Sequence, residues 1–365
     1  MRPFIPPKLP LSRLKWETLL PHSSAAALEV GRYDGLLQGM LNPNLLLSPL
    51  ERQEAELSSR IEGTQATLEE VLEYEAHPTR KTPRYDDIEE VLNYRQAMAL
   101  ATAALRERPL SLNMIRKMHR VLLQGVRGQF RSPGEFRTVQ VLVGGAGATL
   151  ETASYVPPEP QHVLALLDNW ERYLHMQERD VLIQTALMHA QFELIHPFLD
   201  GNGRVGRILI PLFLYEKGVL ASPSLYVSAY FERNRSAYYA HLRALATENA
   251  WEAWIVFFLD ALKTQARENS RQVRQINALY DAMKQQIVAH VRSSYALPIL
   301  DHIFRQPIFS VPQMTASLHI APQTVSRLVK RLVALGLVQV RVPGHTRRAA
   351  TYACEELLRI VEGER

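Results

Sequence analysis

The chain of 365 residues has one cysteine, Cys354, so no disulfide can form within it, and a reducing cytoplasm is the expected setting. Long apolar runs are missing as well. The strongest, ILIPLFLY at 208–215, is far too short to span a bilayer, and the proline-broken start MRPFIPPKLP has no apolar stretch of the signal-peptide kind. A membrane is therefore not among the expected partners. There is no internal repeat and no low-complexity tract. Acids are absent from one stretch: residues 321–350 hold Arg327, Lys330, Arg331, Arg341, Arg347 and Arg348 with no Asp or Glu, while the whole chain carries a net charge of only +5. Such a local excess speaks to the partners of that segment and not to its fold. What is present, 47% hydrophobic and 22% charged residues, suits two or three globular domains with a large core.

Helical periodicity dominates, punctuated by turn clusters. Residues 1–50 mix proline-rich loop with short helices, and a polar helix begins at Glu51 and ends or bends at Gly63. The loop HPTRKTPR at 77–84 closes this first lobe. From Tyr85 to about Gly218 the pattern reads helix, helix, hairpin, helix, helix. The hairpin is FRTVQVLVGG at 136–145, where β-branched residues alternate and glycines close the run. A proline turn, VPPEPQHV, leads into a helix ending near Met176, and a long helix follows at 180–195. Residues 250–291 are helical, with Val273, Ile276, Leu279, Tyr280, Met283, Ile287 and Val291 forming an apolar stripe, and SSYALP at 293–298 reads as a linker.

The chemistry concentrates in HPFLDGNGRVGR, 196–207. Pro197 disfavours helical geometry at His196, so the preceding helix stops there. Gly201 and Gly203 allow positive φ, which lets successive backbone amides converge on an anion. Arg204 opens a helix whose free N–H groups and dipole favour phosphate, and Arg207, three residues on, shares its face. Asp200 supplies a carboxylate of the kind Mg²⁺ takes alongside waters and phosphates, and His196 a base. A GxG turn or a lone histidine is ordinary by itself; base, carboxylate, anion nest and two arginines in this order within twelve residues are not. His189 and His196 do not have the spacing of a zinc pair on one helix.

This segment resembles the signature of the Fic family, HxFx(D/E)GNGRxxR, at every fixed position. The resemblance runs from SSRIEGT at 58–64 through NYRQAM at 93–98 and the hairpin to about Leu242. It implies a mainly α-helical Fic core with a short β-hairpin flap, and AMP transfer from ATP–Mg²⁺ to a protein Tyr, Thr or Ser hydroxyl, self-modification included. It assigns His196 as the base, Asp200 as the metal ligand and Gly201, Asn202 and Gly203 as the anion hole. Arg204, Val205 and Gly206 continue the nucleotide-contacting run, and Arg207 takes the γ-phosphate. Phe198 anchors the loop in the core. The hairpin corresponds to the flap that holds a target segment by strand addition, and Tyr239, with Tyr238 next, stands where the family places the adenine wall.

SSRIEG at 58–63 matches the family's inhibitory pattern (S/T)xxxE(G/N), opened by Ser58. Glu62 lies where Gly63 stops a helix, so its carboxylate is free to project into a neighbouring cleft. By the resemblance it pairs with Arg207 and takes the space a γ-phosphate needs.

Near the end, FSVPQMTASLHIAPQTVSRLVKRLVALGLVQV at 309–340 has helix-turn-helix arithmetic: a helix at 311–317, a turn at LHIA, and a helix from Pro322 to about Ala334. Val325, Leu328, Val329 and Leu332 form its buried face; Gln323, Thr324, Arg327, Lys330 and Arg331 point outward. VQVRV, a PGHTRR turn and AATYA read as a two-stranded wing. This resembles winged-helix domains, and leaves DNA, through residues 309–352, or a protein as its partner. Three regions are expected: an N-terminal lobe at 1–84 with the inhibitory helix, a catalytic core at 85–292, and a winged helix-turn-helix at 299–365. A homodimer is a further expectation. Two other functional readings stand beside AMP transfer: a DNA-binding regulator whose core senses nucleotide, and an enzyme that removes AMP with Glu62 orienting water.

Overall fold

Prolines, glycines and capping residues divide the chain into helices of very uneven length. The computed structural model describes residues 2–78, 82–144, 147, 149–345 and 349–363. In chain order its helices are α1 (Trp16–Gln38), α2 (Pro43–Ile61), α3 (Leu68–Ala76), α4 (Tyr85–Ala104), α5 (Leu112–Leu122), α6 (Pro160–His175), α7 (Val181–Ile195), α8 (Asn202–Glu216), α9 (Ser228–Arg233), α10 (Arg235–Thr247) and α11 (Trp251–His290). Then come α12 (Ala296–Arg305), β1 (Ile308–Ser310), α13 (Val311–Leu318), α14 (Pro322–Ala334), β2 (Gln339–Val342), β3 (Thr351–Ala353) and α15 (Glu355–Glu362).

Helix α7, VLIQTALMHAQFELI, is apolar on every side, and a helix of that kind has to lie inside. It packs among α1, α6, α8, α10 and α11. Its packing is tied by hydrogen bonds: the Gln184 side-chain amide donates to the carbonyls of Tyr173 (2.9 Å) and Met176 (3.1 Å), and the indoles of Trp170 and Trp254 donate to the Met188 and Ala186 carbonyls, each at 2.9 Å. Helix α2 is held by a buried carboxylate: Glu54 accepts from the Ser228 amide (2.9 Å) and hydroxyl (2.6 Å) and from the Tyr94 hydroxyl (3.3 Å), which fastens α2 to α9 and α4. Thr67 and Glu70 close a capping box at the start of α3.

Helix α11, 40 residues and about 60 Å long, joins the two ends of the molecule. Its first half packs on α1 and α7; farther along, α12 and α15 lie against it. The linker read at 293–298 is shorter than expected, because α12 starts at Ala296 and Pro298 sits in its first turn, where no intrahelical hydrogen bond is lost. The C-terminal module is a winged helix. α13 and α14 occupy the expected spans, and Val325, Leu328, Val329 and Leu332 are buried as the pattern required. Its sheet has three strands in the order β1-β3-β2, all antiparallel, with Ile308 opposite Ala353 and Val340 opposite Tyr352. β1, three residues long, gave no readable pattern in the sequence.

This module lies directly on the N-terminal lobe. The Ser310 hydroxyl donates to the Ala76 carbonyl (2.9 Å), and His77 hydrogen-bonds the Thr351 hydroxyl (3.0 Å). Arg341, counted above with the basic segment, is instead enclosed by the acids Glu69 and Glu73 of α3 and Glu355 of α15. Arg347 and Arg348 of that segment lie outside the described residues, as do positions 79–81 of the loop at 77–84 and Gly145 of the hairpin. The hairpin itself is reduced to one antiparallel bridge, Val143 to Tyr155, with N–H···O distances of 2.9 and 3.2 Å. Residues 136–142 form no ladder and bend at Thr138 and Val139, since among the described residues no second strand lies alongside to accept their alternation. No described helix is long and apolar enough to cross a membrane.

Candidate active site

His196 follows the last residue of α7 with φ 49° and ψ 61°, a left-handed conformation. Pro197 excludes the α region at this residue, and the strain, on the order of 1–2 kcal/mol, has to be held by the surroundings. Arg137 does so. Its guanidinium donates to the carbonyls of His196 (2.8 Å), Pro158 (2.6 Å), Val139 (3.2 Å) and Ile195 (3.3 Å), and its amide donates to the Pro197 carbonyl (2.9 Å). A cation at the end of α7 also complements that helix's dipole. The Glu193 backbone carbonyl favours a proton on the His196 ring, whose neutral form keeps one nitrogen as an acceptor. Burial pushes its pKa down to about 4, so the ring is a free base at neutral pH.

Beyond Pro197 the loop is fixed from inside. Phe198 is fully buried and stacks on His119 at 3.7 Å. Because the Gly134 amide donates to Nδ1 of His119 (2.8 Å), Nε2 carries the proton and donates to the Asp200 carbonyl (2.9 Å). The Asn202 side chain accepts from the Phe198 amide (2.8 Å) and donates to its carbonyl (2.9 Å). Asn202 therefore offers an anion only its backbone N–H. Gly201 has φ 78°, which a side chain rarely adopts, and caps the start of α8; its amide donates to Asp200 Oδ1 (2.6 Å), and Gly203 of the first turn lines the cavity.

The two arginines of α8 are both buried. Arg204 donates to Glu90 (3.2 Å) and Asp200 (3.4 Å), while the Thr64 hydroxyl donates to Glu90 (2.7 Å). Arg207 donates from Nε to the Ser58 hydroxyl (2.8 Å) and from Nη2 to the Ser58 carbonyl (2.8 Å) and Glu62 Oε1 (2.7 Å); its Nη1 meets no hydrogen-bond partner among the described residues. Glu62 caps α2, and Gly63, at φ 101°, turns the chain away behind it. Burial raises the Glu62 carboxyl, but the charge and hydrogen bond of Arg207 outweigh this and hold it below its ordinary range. A Cβ at Gly203 would collide with Glu62 Oε1, so the carboxylate lies directly over the first turn of α8. Asp200 is 43% exposed at its side chain. Among the described residues no three His, Cys, Asp or Glu side chains gather as a metal site. A single accessible carboxylate fits a cation that takes its other ligands from phosphate and water, as Mg²⁺ does.

His196, Gly203, Arg207 and Glu62 line one cavity of about 580 Å³, walled by the Val143–Tyr155 bridge and α10. Residues 20–103 match the Fic/DOC family N-terminal model and 109–214 the Fic/DOC family model, together more than half of the chain. The chain belongs to the Fic/DOC family. Its C-terminal residues 294–349 match the MarR family model. Over 179 residues this Fic chain is 32% identical to "Protein adenylyltransferase Fic" of Drosophila grimshawi, covering 48% of this chain and 33% of that one, and 31% identical to its Drosophila melanogaster counterpart. It thus spans about a third of the length of the curated relatives it matches. A solved Fic family protein from Desulfovibrio desulfuricans has the same fold, with a TM-score of 0.61 at 20% identity over 96% of this chain and 98% of that one. A Fic-1 fragment from C. elegans gives 0.54 at 18%, covering 70% and 71%.

The remaining residues of interest in the Fic chain divide by burial. Tyr239 lines the cavity, half exposed, its hydroxyl 3.4 Å from the Ile61 carbonyl. Tyr238 is a core residue whose hydroxyl donates to His189 Nε2 (2.9 Å). His189 in turn donates from Nδ1 to the Gly206 carbonyl (3.0 Å), which makes it a packing residue and occupies that carbonyl. Val205 is fully buried in α8 and presents no side chain to a ligand. Sequence reasoning missed Arg137, His119, Glu90 and Glu193. The only signal for Arg137 was an arginine set in the β-branched run at 136–143; the others left none.

Proposed function

We propose that this chain transfers AMP from ATP to a Tyr, Thr or Ser hydroxyl of a protein, itself included, and that Glu62 restrains the reaction. The observation that carries this reading is the shared cavity: a neutral His196, the amide end of α8 and the Arg207 guanidinium face one space, and the Glu62 carboxylate fills part of it. In the proposed reaction the free ring nitrogen of His196 takes the proton of the target hydroxyl. The oxygen forms a bond to the α-phosphorus, the bond from that phosphorus to the bridging oxygen breaks, and pyrophosphate leaves. The Gly201–Gly203 amides stabilise the charge on the α-phosphate, and Arg207, once released by Glu62, takes the terminal phosphate. Asp200 would hold Mg²⁺, which supplies charge neutralisation along the phosphates when bound.

The test is intact-mass measurement after incubating Glu62→Gly protein with ATP and Mg²⁺. A gain of one AMP unit that disappears in a Glu62→Gly, His196→Ala double variant is the expected result. Absence of any His196-dependent mass gain, on this chain or on proteins supplied to it, defeats the reading.

A second reading attaches to the C-terminal module. Helix α14 exposes Gln323, Arg327, Lys330 and Arg331 on the face opposite its buried stripe, the arrangement of a recognition helix. DNA is the partner this face favours, and salt-dependent binding to duplex DNA tests it.

A further inference from the structure

One carboxyl in the cavity has no role in the reaction proposed above. Glu193 lies on the last turn of α7 and lines the cavity beside Leu194. Its Oε1 is sealed from solvent and meets no hydrogen-bond partner among the described residues. The space it occupies exists because residue 206 is glycine: a Cβ there would collide with Oε1. Gly206 is three residues farther along α8 than Gly203, about 4.5 Å deeper from the amide end where phosphate belongs. The cavity that Glu193 lines has the apolar or aromatic Ile61, Leu194, Val143, Tyr239 and Leu242 in its walls, together with the polar Ser154, Arg235, Ser236 and Arg243. Apolar walls with a few placed polar groups are the usual form of a pocket that orients a flat, partly polar ligand.

We infer that Glu193 is a specificity-determining residue, its side-chain carboxyl hydrogen-bonding the nucleoside part of the bound nucleotide at a ribose hydroxyl or the purine edge. The assignment rests on the nucleotide reading above. Burial raises the carboxyl to about 8, against the lowering effect of Arg207 and with a further rise from Glu62, so at neutral pH it is protonated. In that form it offers a donor as well as acceptors, and adds no negative charge beside a polyphosphate. A neutral polar group left unpaired in a binding cavity discriminates strongly against a ligand that fails to satisfy it.

The test is isothermal titration of the full chain in Mg²⁺ buffer with ATP, 2′-deoxyATP, 3′-deoxyATP and GTP, in a Glu62→Gly background. With Glu193 present, the nucleotide lacking the contacted group should bind about tenfold more weakly than ATP. Glu193→Ala should weaken ATP about tenfold and abolish that distinction, while Glu193→Gln, of the same shape and hydrogen-bonding capacity, should retain most of it. The two deoxynucleotides separate the sugar from the base as the contacted group. A Glu62→Gly parent that binds all four alike overturns the assignment with no further substitution. So does an unchanged ratio among the four in Glu193→Ala. A parent that binds none of the four overturns the nucleotide reading itself, and this assignment with it.

Discussion

Glu62→Gly removes the carboxylate that holds Arg207, and the structure bounds what that should do. Arg207 is 1% exposed at its side chain and Glu62 31%, so the pair is shielded from one side only. Breaking a fully buried charged pair costs about 3–5 kcal/mol and an exposed one under about 1, which puts this contact at about 2–3 kcal/mol. If productive binding has to open the contact first, its removal accelerates turnover roughly 30- to 150-fold. Glu62→Gln keeps the acceptor without the charge and should give about a tenfold rise, since a neutral hydrogen bond is roughly half as strong as a charge-assisted one. Ser58→Ala strips the acceptor of Arg207 Nε, leaves the Ser58 carbonyl in place, and should raise the rate about fivefold. The assay is the initial rate of AMP incorporation followed by intact mass at saturating ATP and Mg²⁺. The ordering Gly above Gln above the Ser58 variant above parent is the signature of a pair that must open. Equal rates for parent and Glu62→Gly, both dependent on His196, would refute the argument and reduce the contact to a structural one.

Three further outcomes follow from the same geometry. His196 is a base whose pKa burial lowers to about 4, so its active, deprotonated form persists well below neutrality. The acid limb of kcat/KM for Glu62→Gly should accordingly fall near pH 4 or lower, since losing the Glu62 charge removes an influence that raises the ring; a midpoint near 6.5 would contradict the burial argument. Arg137→Met should leave several carbonyls around His196 unpaired, cost about 2–4 kcal/mol, and lower the melting temperature by several degrees; an unchanged melt would show that the loop holds itself. In mobility-shift assays Arg341→Ala should leave DNA affinity unchanged, because α3 and α15 already engage that side chain. An Arg327→Ala, Lys330→Ala double variant should weaken binding about tenfold and flatten its salt dependence by roughly two phosphate contacts. The reverse pattern would move the nucleic-acid face to the wing.

The stretch 196–207 announced its own geometry because its determinants are local. Pro197 stops a helix at His196 and Gly201 turns positive as expected, while the next helix begins at Asn202, two residues before the expected Arg204, and takes Gly203 into its first turn. The same holds for α14, whose apolar stripe and Pro322 fixed its span and its buried face. Local signals misjudged the hairpin and the linker. Alternation at 136–145 suggests a strand but says nothing about whether a partner strand lies beside it, and a proline in a first turn looks the same in a sequence as a proline in a loop.

Sequence alone determined the mainly helical fold, the helix end at His196 with the turn and arginine-bearing helix that follow it, and the winged-helix pattern at the end. Only the tertiary structure decided what each of those parts touches. Glu62 and Arg207 meet across 145 positions, and Arg341 is drawn from the basic segment to acids about 270 positions away. Arg137 and His119 act on backbone carbonyls, which every residue possesses, so no pattern of side chains records them. Glu193 owes its place to a glycine thirteen positions on, in the facing helix. The physical reason is common to all four: periodicity and turn chemistry report the environment of a residue within a few neighbours, while pairing, burial and pKa depend on which distant groups the packing of α2, α7, α8 and α10 brings within reach.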